Sequence, residues 1–447
     1  MPNRSHSRPE YTTDAAGDAA QRGQTMHPDD QPLRPTRRDV LAAVGMTATG
    51  GCLDGAPPSK SVPERIDQPD YAASYGTTAP WPQVGYDGRR SAFAPTASIP
   101  RADAGVAWLR TVAADDPGTS APVVDEERLY VGNESAVVAF DPETGEEQWR
   151  TAIDVEVVHG IALVDEHIVL VTISEDHDAF HLRAFSRRSG SSTWTRRYPS
   201  ILTGAPAIVD GRMYVATRDP DATVYAIQAD GSVRWESTPG GTPYTPLTVD
   251  GEALYVTTAA GRVVELDPTD GTRRWTATVP ATVDDDSPPI QGTPAMDSDR
   301  LYLPGIDARL YTIDRSTGAP GWSATLLEDD FGNALPSPAV SGSAVYVNTA
   351  HGGLIALATA DGRERWRTES GGLEPPAVTG DAVVGVERDA IRGYSLAGEP
   401  RWTVEMVVGE APGDAGYIMD PAVAIAHGMV YVTLEDSRVY AIGGAEG

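Results

Sequence analysis

Seven times along this chain a glycine stands four residues ahead of a tryptophan, and that spacing constrains the fold more than any other feature. The pairs are Gly145/Trp149, Gly190/Trp194, Gly231/Trp235, Gly271/Trp275, Gly318/Trp322, Gly362/Trp366 and Gly398/Trp402. Counted from Trp108, successive tryptophans lie 36 to 47 residues apart, with a mean period of 42. A period of that size means that one supersecondary unit is repeated and that each copy completes its core against its neighbours.

Each unit reads as four short strands. The first carries a proline near its start, as in Ala121-Pro122-Val123-Val124, Ala205-Pro206-Ala207-Ile208, Ser337-Pro338-Ala339-Val340 and Asp420-Pro421-Ala422-Val423, where a missing N–H is tolerated. The second is rich in β-formers: Leu129-Tyr130-Val131, Met213-Tyr214-Val215, Leu254-Tyr255-Val256, Val345-Tyr346-Val347 and Val430-Tyr431-Val432. The third ends in apolar alternation, such as Val224-Tyr225-Ala226-Ile227, and runs into a tight turn whose glycine supplies positive φ. The fourth delivers the tryptophan. Helical spacing of apolar residues is missing from these units, so the expected class is all-β.

Four-stranded sheets of this size bury their faces by stacking radially, which predicts a β-propeller. The ends set the blade count. Residues 418–443 offer three strands without a tryptophan, and Ala104–Val112 offers a lone strand with Trp108. Joined, they make a composite eighth blade of four antiparallel strands like the other seven, closed by both termini. Closure leaves no open sheet edge to recruit another copy, so the chain is expected to be a monomer. Two repeats depart from the pattern. Repeat two has Gly160-Ile161-Ala162-Leu163 without proline and an insertion around Ser174–His181, and repeat seven has Val383-Val384-Gly385 in place of the tyrosine.

The run Ala139-Phe140-Asp141-Pro142-Glu143-Thr144-Gly145-Glu146-Glu147-Gln148-Trp149 resembles the docking motif of the pyrroloquinoline-quinone-type (PQQ-like) propeller repeat. Glu265–Trp275, Thr312–Trp322, Ala184–Trp194 and Ala356–Trp366 keep its spacing, whereas the turns ending in Gly231 and Gly398 are one residue shorter. The resemblance covers residues 104–443, and Trp81-Pro82-Gln83 with Asp87-Gly88-Arg89-Arg90 is similar to the lead-in of secreted propellers of this kind. It implies that Trp108, Trp149, Trp194, Trp235, Trp275, Trp322, Trp366 and Trp402 pack between blades as structural residues. The expected map is a signal over 1–52, a tether and lead-in over 53–100 and the propeller over 101–443.

Thr36-Arg37-Arg38-Asp39-Val40-Leu41 resembles a twin-arginine export signal, with Arg37 and Arg38 as the pair, and the apolar stretch Val40–Thr49 is too short to span a bilayer. Thr49-Gly50-Gly51-Cys52 resembles a lipobox, with Thr49 in place of the usual leucine; Cys52, the only cysteine, is the expected lipidation site. The stretch Asp54–Pro80 then serves as tether, and the true start is expected at Met26. These features imply a lipoprotein exported by the twin-arginine route and anchored on the outer face of the cytoplasmic membrane.

The formal net charge is −29 and Lys60 is the only lysine among 35 basic residues. Up to Cys52 six arginines balance six acids, so the whole excess belongs to the rest of the chain. Surplus Asp/Glu with almost no lysine resembles the proteins of extreme halophiles, which places the chain with haloarchaeal lipoproteins of this architecture. An acidic surface also argues against nucleic acid, whose phosphates need Lys/Arg.

The motifs for chemistry are sparse. The resemblance to quinoproteins would imply pyrroloquinoline quinone and Ca²⁺ in the channel, but such enzymes typically show a vicinal cysteine pair and often Cys-x-x-Cys-His, and no cysteine follows Cys52. The sequence also lacks Gly-x-Ser-x-Gly, a phosphate loop and His-Glu-x-x-His. Glu175-Asp176-His177-Asp178 with His181, Asp284-Asp285-Asp286 and Asp329-Asp330 could meet cations, yet they read better as solvated acidic loops without the spacing of a metal loop. Asn133-Glu134-Ser135 is a glycosylation triplet. No catalytic, cofactor or metal site is therefore expected. The expected function is a non-catalytic, BamB-like scaffold that binds an exported or membrane protein through the long connections Ile153–His159, Val279–Gln291, Leu326–Ser337 and Met406–Ile418. The alternative is a small-ligand or quinone-binding propeller, including a quinoprotein-type oxidoreductase.

Overall fold

Strands too short to form a core alone are gathered into eight antiparallel sheets around one axis, with no helix among the described residues. The computed structural model describes residues 65–68, 71–72, 79–113, 119–153, 155, 157–174, 180–220, 222–280, 287–327, 335–372, 374–387, 390–405, 423–433 and 437–445. All fall in the unit Ser59–Gly447. The export signal, Cys52, Glu175–Asp178, the two aspartate runs and Met406–Ile418 lie outside the described residues.

Blade 1 contains, from axis to rim, Val123–Val124, Leu129–Gly132, Ala136–Phe140 and Glu147–Ala152. Blades 2 to 7 repeat this order, and the composite blade 8 joins Val423–Ala426, Met429–Thr433 and Arg438–Ala445 to Ala104–Thr111. Two sheets are wider than the repeat predicts. Blade 8 gains Arg65–Asp67 and Tyr71–Ala72, and blade 7 gains the parallel strand Phe93–Ala94 on its axial side. Blade 2 is the tallest, because its second and third strands, His167–Ile173 and Phe180–Ser186, pair over their full length.

The docking motif has a direct steric explanation. In blade 1 the register aligns Tyr130, Ala139 and Trp149 across three strands with tyrosine and indole at a ring distance of 6.0 Å, and blade 4 keeps the same row at 5.8 Å with Glu265 in the middle. Tyr214–Ala226–Trp235 and Tyr346–Ala356–Trp366 repeat the row. In blade 7, where tyrosine is missing, the row is Val384–Gly393–Trp402, and the indole settles over Gly393.

Each indole then seats on the next blade. The eight Nε1–H groups donate to carbonyls at 2.6–3.1 Å, from Trp108 to Pro142 around to Trp402, which reaches Pro100 in the lead-in. Under seven of them lies the turn glycine of the following blade, so close that a Cβ would fall 2.4–2.9 Å from the ring. The shorter turns work because Gly231 and Gly398 bond three residues back instead of four, and still reach positive φ. Gly190 is the tightest test: it has φ +70° and a Cβ would sit 2.4 Å from Trp149. Gly190→Ala is expected to cost about 2–4 kcal/mol through left-handed strain and overpacking. A thermal melt matching the parent chain would show that the turn yields freely.

Because all strands alternate, the short turns joining first to second and third to fourth strands lie at one end of the axis. The other connections lie at the opposite end. The two ends are called here the turn end and the loop end.

Candidate interaction face

The turn end is locked from within. Residues 81–94, within the lead-in, coil inside the inner strands of the ring. Trp81 bridges to Val124 of blade 1, and Pro82 O accepts from Leu163 N of blade 2 at 2.8 Å. The Gln83 side chain bonds both N–H and C=O of Ile208 in blade 3. Gly88, Arg89, Ser91 and Ala92 then offer carbonyls to Val249, Met296, Val340 and Val378 of blades 4, 5, 6 and 7 at 2.7–3.1 Å. At the centre is Arg90, 3% exposed, donating to Val84 O at 2.7 Å, Ala205 O at 2.8 Å and Leu247 O at 3.2 Å. Such a coil needs unusual backbone. Tyr86, Arg90 and Ala92 all have positive φ, a strain of roughly 1–3 kcal/mol each that persists only where surroundings over-determine it. Gly88 is obligatory for space, since a Cβ would meet Val249 O at 2.7 Å.

Charged staples join blades at the same end. Asp125 of blade 1 takes a bond from Arg187 Nε of blade 2 at 2.9 Å and from Tyr130 OH at 2.7 Å. Asp250 of blade 4 receives Arg315 Nη2 of blade 5 at 2.6 Å, and Arg315 Nε reaches Tyr255 OH at 3.2 Å. Burial alone would raise both carboxyls; the arginines and the N–H groups of Glu127, Glu252 and Ala253 outweigh it and hold both below the usual aspartate range.

The loop end is different in kind. The longest connections leave and re-enter there, and the strands flanking all four connections named from the sequence end on that face. By sequence these connections carry Asp115-Asp116, Glu175-Asp176, Asp284-Asp285-Asp286, Glu328-Asp329-Asp330 and Glu435-Asp436, with arginine only at Arg218 and Arg388. Arg218 stacks over Tyr244 at 4.1 Å. Near the axis, hydroxyls tie neighbours together: Thr433 Oγ1, at the end of its strand, donates to Ser120 O at 3.1 Å, and Ser337 Oγ, ahead of Pro338, accepts from Thr293 N at 2.9 Å. Buried Glu387 accepts from Tyr394 OH and Ser370 Oγ and pairs with Arg392, so this carboxylate is fully used in structure. Thr119 Oγ1, Asn133 Nδ2 and Thr172 Oγ1 are buried at this end of blades 1 and 2 without a partner among the described residues. Asn133, 1% exposed, folds its Oδ1 onto the N–H groups of Ser135 and Ala136, which removes it as a glycosylation acceptor in the folded chain.

Comparison with known proteins decides the family. The family profile described as outer membrane protein assembly factor BamB matches residues 97–201, 178–387 and 314–447. The chain belongs to this family. Outer membrane protein assembly factor BamB of Shewanella oneidensis is 24% identical over 276 residues, 57% of this chain and 65% of that protein, so the match spans just under two thirds of the relative's length. The crystal structure of BamB from Moraxella catarrhalis superposes with a TM-score of 0.55 at 18% identity, over 75% of this chain and 99% of that one. The quinohemoprotein alcohol dehydrogenase of Comamonas testosteroni superposes with a TM-score of 0.60 at 15% identity, over 83% of this chain and 81% of that one. At these identities the two structures speak to the fold alone.

For this BamB-family chain, sequence reasoning singled out the repeat tryptophans, the turn glycines and four long connections, whose flanking strands the structure brings to one face. It did not single out Arg90, Asp125, Arg187, Asp250 or Arg315. A signal was present: an Asp opens the first turn and an Arg follows the third strand of the next repeat, in both Asp125/Arg187 and Asp250/Arg315.

Proposed function

We propose that the chain is a non-catalytic, membrane-anchored extracytoplasmic scaffold that binds a protein through the loop end. The observation that carries this reading is the asymmetry of the ring. The turn end is filled by residues 81–94 and stapled, whereas the loop end holds the longest connections, several of them acidic, and at Thr119, Asn133 and Thr172 buried polar atoms without a partner among the described residues. Unpartnered buried polar groups are uncommon, and each costs about 1–3 kcal/mol until satisfied. A partner with a basic contact surface fits this face. Family membership supports the same reading, since the relatives are named as assembly factors. The twin-arginine pair Arg37/Arg38 and a lipid on Cys52 supply export and anchor, and the lysine-poor acidic composition suits a halophile. We assign no quinone or calcium, because the cysteine motifs of the quinoproteins are missing from the sequence.

Photo-crosslinkers at the exposed loop-end residues Ser135 and Ala260, with Glu143 at the turn end as control, test this in native membranes at native salt. The expected result is one exported or membrane protein captured from Ser135 or Ala260 and not from Glu143. Capture from Glu143 alone would overturn the choice of face. A tightly held organic cofactor or divalent ion in the native mass, with no protein captured, would favour the small-ligand alternative.

A further inference from the structure

Blade 8 is the only blade among the described residues whose rim strand is covered. Its outer edge, Ala104–Thr111, carries an added antiparallel strand, with Arg65 opposite Arg110, Ile66 opposite Leu109 and Asp67 opposite Trp108. Gln68 N bonds Ala107 O at 2.8 Å, and Tyr71–Ala72 pairs with Ala445 and Gly444 at the far end of the C-terminal strand. One short segment therefore grips both halves of the composite blade, the half from the N-terminal side and the half from the C-terminal side.

Its contacts are side-chain specific. Asp67 Oδ1 accepts from Arg110 Nη2 at 2.6 Å, and the same guanidinium donates to Thr144 O and Gly145 O of blade 1, both at 2.8 Å, while lying over the Trp108 ring. Arg110 thus joins the added strand, the composite blade and the turn on which Trp108 docks. A cavity of about 480 Å³ lined by Asp67, Arg110, Phe140, Thr144 and Glu147 marks this junction. The Tyr71 ring rests on Gly105 so closely that a Cβ there would fall 2.4 Å from it.

We propose that the strands Arg65–Asp67 and Tyr71–Ala72 are a latch for ring closure: the acid of the first is read by Arg110 and the aromatic ring of the second is seated by Gly105. The ring closes by strand pairing between the two ends of the propeller, the junction formed last in chain order, and the latch adds pairing to both partners at once. The proposal is independent of the partner assigned above.

Hydrogen exchange on the full chain tests it with two variants, Tyr71→Ala, which removes the ring, and Gly105→Ala, which leaves the latch sequence intact and evicts the ring. Both are expected to speed exchange at least tenfold over Ala104–Thr111 and Arg438–Ala445, with Leu254–Thr257 and Arg262–Leu266 of blade 4 unchanged. Unchanged exchange at blade 8 in both variants would overturn the latch. A uniform rise in all blades would also overturn it, since that result describes general destabilisation and not local control of closure.

Discussion

Arg315→Met is expected to destabilise the propeller by about 3–5 kcal/mol, the range for removing one partner of a buried ion pair. Arg315 and Asp250 each have side chains only 7% exposed, and the guanidinium also donates to Asp297 O at 2.6 Å. Loss of the arginine leaves a carboxylate between blades 4 and 5 with the N–H groups of Glu252 and Ala253 and, as its charged partner, only the half-exposed Arg89 at 3.3 Å. Molar salt does little to relieve a buried charge, so the loss should persist at high ionic strength. Adding Asp250→Asn to Arg315→Met should restore most of the stability, because the cost is the orphaned charge more than the lost pair. A double-mutant cycle by denaturant unfolding reads this directly, and additive losses would contradict it. The pH dependence has a fixed sign. Asp125 and Asp250 are held below the ordinary value, so their contribution is full above about pH 3.9, the unfolded aspartate value, and is lost as pH falls through the lower folded values. The parent chain should therefore lose stability below about pH 4 more steeply than the Asp250→Asn chain.

Arg90→Met should cost about 3 kcal/mol or more, from three buried carbonyls left without their donor, each carrying a penalty of about 1–3 kcal/mol where water does not replace it. The carbonyls belong to Val84 in the coil, Ala205 ahead of blade 3 and Leu247 ahead of blade 4, so the loss should loosen the coil and the inner strands together. Arg89→Met, by contrast, removes a side chain that is 45% exposed and should cost about 1 kcal/mol or less. Calorimetry of the two variants separates these cases. Equal melting temperatures would mean that residues 81–94 merely line the ring and do not hold it.

The difference between these arginines was not legible in Asp87-Gly88-Arg89-Arg90. Neighbours of the same type, they differ only in what tertiary structure places around them. Arg90 bonds carbonyls 115 and 157 positions away, and no local pattern signals contacts at such separations. The lead-in has no alternation of apolar and polar residues, because each of its residues meets a different blade and not one continuous sheet face. The staples were missed for a related reason. Asp125 and Arg187 are 62 residues apart and belong to consecutive repeats, and an acidic chain offers many aspartates in turns that look alike. The docking ring, in contrast, was readable because one steric problem recurs in successive blades: a glycine must lie under the indole of the preceding blade.

What the sequence determined by itself is thus the repeated part: strand order, eight blades and the composite closure. These follow from local chemistry, in which alternation, turn glycines and a fixed period act within about one repeat of chain. Tertiary structure alone decided the parts that occur once. These are the coil in the ring, the latch on blade 8 and the choice of which aspartates and arginines become buried pairs. Each is fixed by contacts between segments far apart in sequence, and their energies exist only after the ring has brought those segments together.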